Sequence, residues 1–286
     1  MTGGTGQVGT EVVQALLRER APTRLLMRSP DKQPPAGVEA VLGTLDDPAS
    51  LEGAFQGADA LFLLTPLSES ETQQGLNAVE AAKQAGVGKI VFMTVHHLEE
   101  AAHIPHFGSK IPVVDAIKRS GIPWTLIEPN NFFQNDLGVA QAIVEHGIYP
   151  QPLGNIGLNR VDTRDIADAV VNALLQPGHE GKSFPLVGPE VLTGEGTADA
   201  YSQKLGRLVR YGGDDLDAWA KQVSAFLPEW LVHDLRVMYA HFQDKGLKAT
   251  EAEIQQAHHI VGHPLRRFDD FITGVFIPAS RIGTGA

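Results

Sequence analysis

Four glycines fall within seven residues in the run Thr2-Gly3-Gly4-Thr5-Gly6-Gln7-Val8-Gly9, which leads straight into an amphipathic stretch, Thr10 to Arg20. Glycine at such a junction lets the backbone take positive φ and pass close to another group with no Cβ in the way. The unpaired N–H groups and dipole at the start of the following helix attract negative charge. The junction therefore predicts a phosphate cradle of the dinucleotide-binding kind, built from Gly3, Gly6, Gln7, Val8 and Gly9. Gly4, Gly6 and Gly9 satisfy G-x-G-x-x-G, while Gly3, Gly6 and Gly9 satisfy G-x-x-G-x-x-G, so spacing alone leaves both readings open. Context supports the cradle: Val8, Val12, Val13, Leu16 and Leu17 recur at helical spacing, and the apolar run Arg24-Leu25-Leu26-Met27 follows. Ahead of the turn, only Met1 stands where a preceding strand is expected.

Beyond the first helix, strand-like runs at Val38–Leu42, Ala60–Thr65, Lys89–Val95 and Trp124–Ile127 alternate with helical patterns. The latter cover Pro48–Gln56, Glu69–Ala85, Ser109–Ser120 and Asn131–His146. That alternation is the signature of a parallel sheet covered on both faces. Val161–Asp165 leads a further helix, Ser183–Val187 reads as a strand returning to the sheet, and Leu208–Tyr211 as a lone later strand. The fold class expected is α/β, a Rossmann-type doubly wound parallel sheet with a smaller, mainly helical C-terminal substrate lobe. Residues 1–150 form the dinucleotide-binding domain, with 158–188 returning to it, and residues 189–286 form the lobe. Trp219, Phe226, Trp230 and Tyr239 are available there to line an apolar pocket.

A formal net charge of −11 excludes a surface built for nucleic acid or anionic lipid, because those partners need basic patches. The chain has no cysteine, hence no disulfide, thiolate nucleophile or thiolate-held metal. Nothing reads as a signal peptide or membrane span, and a cytoplasmic location is the default expectation. His96, His97, His103 and His106 lack the H-E-x-x-H spacing, so no metal site is expected; His258, His259 and His263 read as surface residues.

Several pieces, taken in order, carry a resemblance. After the glycine turn come Arg28-Ser29-Pro30-Asp31-Lys32, Leu45-Asp46-Asp47-Pro48-Ala49-Ser50-Leu51 and Leu63-Leu64-Thr65-Pro66. His106-Phe107-Gly108-Ser109-Lys110, Gly121-Ile122-Pro123-Trp124-Thr125-Leu126-Ile127, Pro129-Asn130-Asn131-Phe132-Phe133-Gln134-Asn135 and Val161-Asp162-Thr163-Arg164-Asp165-Ile166-Ala167 follow. In this order the chain resembles the NmrA-like group of atypical short-chain dehydrogenases/reductases over nearly its whole length. The resemblance implies an NAD(P)-binding domain, usually NADP-preferring, in a group that includes quinone and dye reductases and proteins that bind NADP(H) only to report redox state. Thr44 stands where relatives often carry an aspartate near the adenine, and Glu128 where many carry an arginine.

Arg28 lies nineteen positions after Gly9, where an acidic residue would bind the ribose hydroxyls of NAD. Arginine there pairs with a 2′-phosphate and Lys32 adds charge, so NADP(H) is expected over NAD(H). Thr44, Leu45, Thr65 and Pro66 complete the expected cofactor-binding set, the last two through backbone contacts. The Tyr-x-x-x-Lys pair of carbonyl-reducing short-chain dehydrogenases is missing, since Tyr149, Tyr201, Tyr211 and Tyr239 all lie elsewhere, while Lys110 remains with His106 four residues before it. Lys110 is expected to hold the ribose, and His106 or water to supply a proton. Asn131 and Phe132, after the fifth strand-like run, are expected to line the substrate pocket. The activity expected is NADP(H)-dependent reduction of a quinone, dye or similar conjugated small molecule. The alternative is a redox sensor without turnover, acting through a homodimer or a protein partner.

Overall fold

The computed structural model describes residues 1–29 and 33–282. Along the chain run α1 (Gln7–Arg18), β1 (Thr23–Met27), β2 (Val38–Leu42), α2 (Pro48–Phe55), β3 (Leu61–Leu63), α3 (Glu71–Gln84), β4 (Ile90–Met93), α4 (Pro105–Gly108), α5 (Ile111–Arg119) and β5 (Trp124–Pro129). A 3-10 segment at Phe133–Val139 leads into α6 (Ala140–His146), β6 (Ile148–Tyr149), α7 (Thr163–Leu175), β7 (Lys182–Leu186), α8 (Gly194–Leu205) and β8 (Arg210–Tyr211). The remaining helices are α9 (Leu216–Val223), α10 (Glu229–Asp244), α11 (Glu251–Val261), α12 (Phe268–Phe271) and α13 (Ile277–Ile282).

These elements sort into two compact units. The first holds Met1–Pro129, Thr163–Leu186 and Gln256–His263; the second holds Asn130–Asp162, Val187–Gln255 and the chain from Pro264 onward. Residues 130–150, placed with the dinucleotide domain by sequence pattern, therefore cluster with the second unit. The backbone accounts for this. Once β5 ends at Pro129, the chain pairs with Val161: Val161 N–H donates to Asn131 O and Phe133 N–H to Val161 O, both at 2.9 Å.

In the first unit every strand pair is parallel: β1 with β2, and β3-β4-β5-β7 in that spatial order. Met1 and Thr2 stitch the two sets together. Leu26 N–H donates to Met1 O at 3.0 Å, and Thr2 N–H to Phe62 O at 3.1 Å. The glycine turn thus emerges between β1 and β3. Leu61, Leu63, Ile90, Phe92 and Leu126 meet Leu51 and Phe55 of α2, Ala78 and Ala82 of α3, and Val113 and Ile117 of α5. The alternate residues Phe62, Val91 and Ile127 are buried as well, and α7 packs on β3, β4 and β5 and against α1. With both faces covered, the strands read as continuous apolar runs. Each fully buried Leu, Ile or Phe contributes roughly 1.5–3 kcal/mol, enough in sum to hold the strand ends, and whatever they carry, in fixed positions.

The second unit is mainly helical, with one short parallel pair, β6 and β8. Its core is aromatic: Phe133, Tyr201, Phe268, Phe271 and Phe276 interleave with ring centroids 4.6–6.3 Å apart. The helix expected over Asn131–His146 is replaced by the 3-10 segment and the shorter α6. Asp136 is drawn fully inward there, where its carboxylate takes side-chain hydrogen bonds from Tyr149, Gln151, Arg160 and Tyr201. The strand expected over Leu208–Tyr211 contracts to Arg210–Tyr211. Among the described residues, no helix is long and apolar enough to cross a membrane.

Candidate functional site

The glycine turn opens with Gly3 at φ +66°, whose carbonyl accepts from Gly6 N–H at 3.0 Å. Helix α1 starts at Gln7, ahead of the Thr10 start expected from periodicity, and its N-cap Gly6 offers no side chain to the first-turn amides. A Cβ at Gly9 would collide with the Gly3 carbonyl oxygen and stand 2.7 Å from Gly4 Cα, so packing demands glycine there. At Gly4 a Cβ would collide with the Leu25 side chain. Gly6 is different. Its φ is −86°, and the nearest atom to a Cβ is Gly3 O at 3.4 Å, an ordinary contact. The fold does not require glycine at 6, and the space beside it is unfilled by the protein. Gly3, Gly6 and Gln7 are exposed, whereas the Val8 side chain belongs to the core and leaves only its backbone to serve a ligand.

From the turn, a continuous path leads to the lysine. Thr2 Oγ1 donates to Leu64 O at 2.9 Å and accepts from Leu64 N–H at 2.8 Å. The next residue, Thr65, is buried and donates through Oγ1 to Glu71 Oε1 at 2.6 Å. Lys110, the N-cap of α5, donates through Nζ to the same Glu71 oxygen and lies 3.4 Å from Thr65 Oγ1. Ser109 Oγ donates to Glu71 Oε2 at 2.9 Å. Sequence reasoning selected Thr65 and Lys110 but missed Glu71. Pro66, also selected, is exposed beside Thr65.

The first turn of α3 also reaches the segment after β2. Asp46 Oδ1 accepts from Gln74 Nε2 at 2.7 Å and from Ser70 Oγ at 3.2 Å, and Thr44 Oγ1 donates to Asp46 Oδ2 at 3.3 Å. The Gln74 bond, then those from Ser70 and Thr44, with the charge of Arg28 behind them, hold the Asp46 carboxyl below the usual carboxylate range against partial desolvation. Leu45 is buried, and its carbonyl accepts from Asn77 Nδ2 at 2.8 Å. Arg28 is exposed just past β1. Leu45, Thr65 and Lys110 therefore meet α3 directly and Thr44 reaches it through Asp46, on which Arg28 also acts. Lys32 lies outside the described residues.

The remaining candidates have other surroundings. His106 is half-buried on α4 with its ring edge-on to Phe107, centroids 4.7 Å apart. Asn131 Oδ1 accepts from Arg160 Nε at 2.9 Å, and Phe132 O accepts from Arg160 Nη2 at 2.7 Å, so both belong to the buried arginine's network. Thr94, the hydroxyl at the end of β4, is buried and donates to Ile127 O at 3.3 Å. Burial first, and then the Asp136 charge, pushes the phenols of Tyr149 and Tyr201 well above their ordinary range, as burial also does for Tyr211 and Tyr239. None is suited to exchange a proton near neutrality. His263, expected at the surface, is half-buried and pairs with Asp168 at 3.0 Å, where Arg18 also approaches at 3.4 Å.

Several proteins similar to this chain handle nicotinamide nucleotides. The chain is 34% identical over 277 residues, 95% of each chain, to an NAD(P)H azoreductase of Xenophilus azovorans. An Escherichia coli NADPH-dependent quinone oxidoreductase, solved in complex with NADPH, superposes with a TM-score of 0.84 at 25% identity, covering 96% of this chain and 98% of its own. A Citrobacter sp. triphenylmethane reductase superposes with a TM-score of 0.86 at 25% identity and the same coverage. The sequence profile of the NmrA-like family matches residues 1–272, and the chain belongs to that family.

Proposed function

We propose that the protein is an NADP(H)-dependent reductase of quinones, dyes or similar conjugated small molecules. The observation that carries this reading is the end-to-end likeness to an NAD(P)H azoreductase and to a quinone oxidoreductase solved with NADPH. The open space beside Gly6 fits the diphosphate of such a nucleotide, because nothing of the protein needs that space. Gly3, Gly6, Gln7, Gly9 and the Val8 backbone would hold the diphosphate. Arg28 would hold the 2′-phosphate, Thr44 and Leu45 the adenine end, and Thr65, Pro66 and Lys110 the ribose.

Bound nicotinamide supplies the hydride to the acceptor. A conjugated acceptor then carries a delocalised anion, so no strong, positioned acid is needed, and His106 or water can give the proton. This suits a chain whose buried tyrosines cannot give one. Asn131 and Phe132 are the proposed lining on the acceptor side, with the Arg160 bonds fixing their backbone and amide.

Absorbance of NADPH followed against a panel of quinones and azo or triarylmethane dyes tests the reading. Consumption with at least one acceptor is expected; tight NADPH binding with no consumption by any of them would leave a sensor instead. Arg28→Ala gives a second test. Losing a charge-assisted bond to phosphate should weaken NADPH about tenfold or more and leave NADH nearly unchanged. Equal losses for the two nucleotides, measured by calorimetry, would remove the 2′-phosphate assignment.

A further inference from the structure

We infer that Glu71 is a positioning residue: it holds the Lys110 ammonium in one orientation, so that a single N–H is left to meet the bound nicotinamide nucleotide. The inference rests on the reading of Lys110 as a ribose-binding group. Sequence spacing presents Lys110 as an isolated cation at the start of a helix. The structure places it instead against a carboxylate that is only 1% exposed, and Lys110 itself is 8% exposed.

The hydrogen bonds direct the Thr65 proton and the Lys110 ammonium onto Glu71. Glu71 Oε2 faces the Ser109 hydroxyl at 2.9 Å, which also lies 3.0 Å from His106 O, and Oε1 takes the Thr65 hydroxyl at 2.6 Å together with Lys110 Nζ. Thr65 has one hydroxyl proton, and it is committed to Glu71. Toward Lys110, at 3.4 Å, that oxygen can only accept. Two of the three ammonium N–H groups are thereby engaged, and the third has no partner among the described residues. Because the pair is neutral as a whole, Lys110 serves a ligand as a placed donor more than as a free positive charge.

The surroundings support a placing role. Glu71 is the first residue of α3 and Lys110 caps α5, and the two helices are locked further by Thr72 Oγ1 donating to Ser109 O at 2.7 Å. Thr65 follows directly on Leu64, which is bonded to Thr2 at the glycine turn. The carboxylate therefore refers the ammonium to the same framework that carries the phosphate cradle. A buried ion pair is seldom more stabilising than an apolar pair of equal volume, so stability alone is a weak reason for this one.

A double-substitution cycle on the whole protein tests the idea, with the dissociation constant of NADPH read by calorimetry for Glu71→Gln, Lys110→Met and both together. Glu71→Gln is expected to weaken NADPH about tenfold, and to add nothing once Lys110 is methionine. Glu71→Asp, which keeps the charge, should recover part of the loss. Should the unpaired ammonium keep Glu71→Gln from folding, Glu71→Asp carries the same cycle. No loss of affinity in the glutamate variant, or a loss that persists undiminished beside Lys110→Met, overturns the inference. Binding without turnover of any dye or quinone would defeat the reductase reading and leave this inference standing; no NADPH binding by the unsubstituted protein would defeat both.

Discussion

Asp136→Ala destabilises the protein by about 3–5 kcal/mol, because it strips the paired carboxylate from a buried guanidinium in the second unit. Arg160 and Asp136 are both 0% exposed. Arg160 Nη2 donates to Asp136 Oδ1 at 2.7 Å and Nη1 to Oδ2 at 3.2 Å, a two-pronged pairing. The same carboxylate takes the hydroxyls of Tyr201 at 2.9 Å and Tyr149 at 3.2 Å, and Gln151 Nε2 at 2.7 Å. Burial works against the Arg160 charge, but the Asp136 charge and hydrogen bond together with Tyr149 and Tyr201 outweigh it, so the guanidinium stays charged. Alanine at 136 would leave that charge without its counter-charge and the Tyr149, Tyr201 and Gln151 donors without their carboxylate, and guanidinium cannot escape by deprotonating. At a cost of about 2–4 °C per kcal/mol for a chain near this size, the melting temperature should fall by roughly 10 °C. Asp136→Ala/Arg160→Met, which removes both charges, should recover part of the loss; a melting curve unchanged by Asp136→Ala would refute the account.

That network shows where sequence reading stops. Arg160 and Asp136 are 24 residues apart and follow no motif, so neither carries a signal of burial. Asn131 and Phe132 were chosen for their place after the fifth strand, yet what fixes them is an arginine that charge alone would assign to the surface. Glu71 was hidden for a different reason. A carboxylate in a helix's first turn is ordinary dipole complementation, and nothing local reveals a lysine 39 residues later as its partner. What periodicity and turn chemistry could specify was readable: β2 falls at Val38–Leu42 as expected, and the glycine turn opens α1. The boundary of the first unit at Pro129 was not, because it depends on the Val161 pairing, a contact made across 30 residues of chain.

The glycine turn itself gives the other large effect, and it separates two glycines that a motif treats alike. Gly9→Ala should cripple folding, since its Cβ has nowhere to go. The obstructing atoms, Gly3 O and Gly4 Cα, are backbone, and they cannot step aside as a side-chain tip can. Opening the turn to admit the methyl would break the Gly6 N–H to Gly3 O bond, at 3.0 Å, and displace a helix whose Val12, Val13 and Leu16 are core. A loss of about 3 kcal/mol or more follows from overpacking and backbone strain together. Gly6→Ala should cost the fold no more than about 1 kcal/mol, the preference of a helix N-cap for glycine over alanine. Its methyl would instead occupy the space proposed for the diphosphate, and NADPH affinity should drop by a factor of about 100, in keeping with a ligand forced off several backbone N–H groups. Melting curves and calorimetric titration with NADPH, run on the two variants in parallel, decide the matter. A Gly6→Ala protein that melts normally and binds NADPH as tightly as the parent would place the nucleotide elsewhere, because no other glycine of the turn has room for a Cβ without collision or strain.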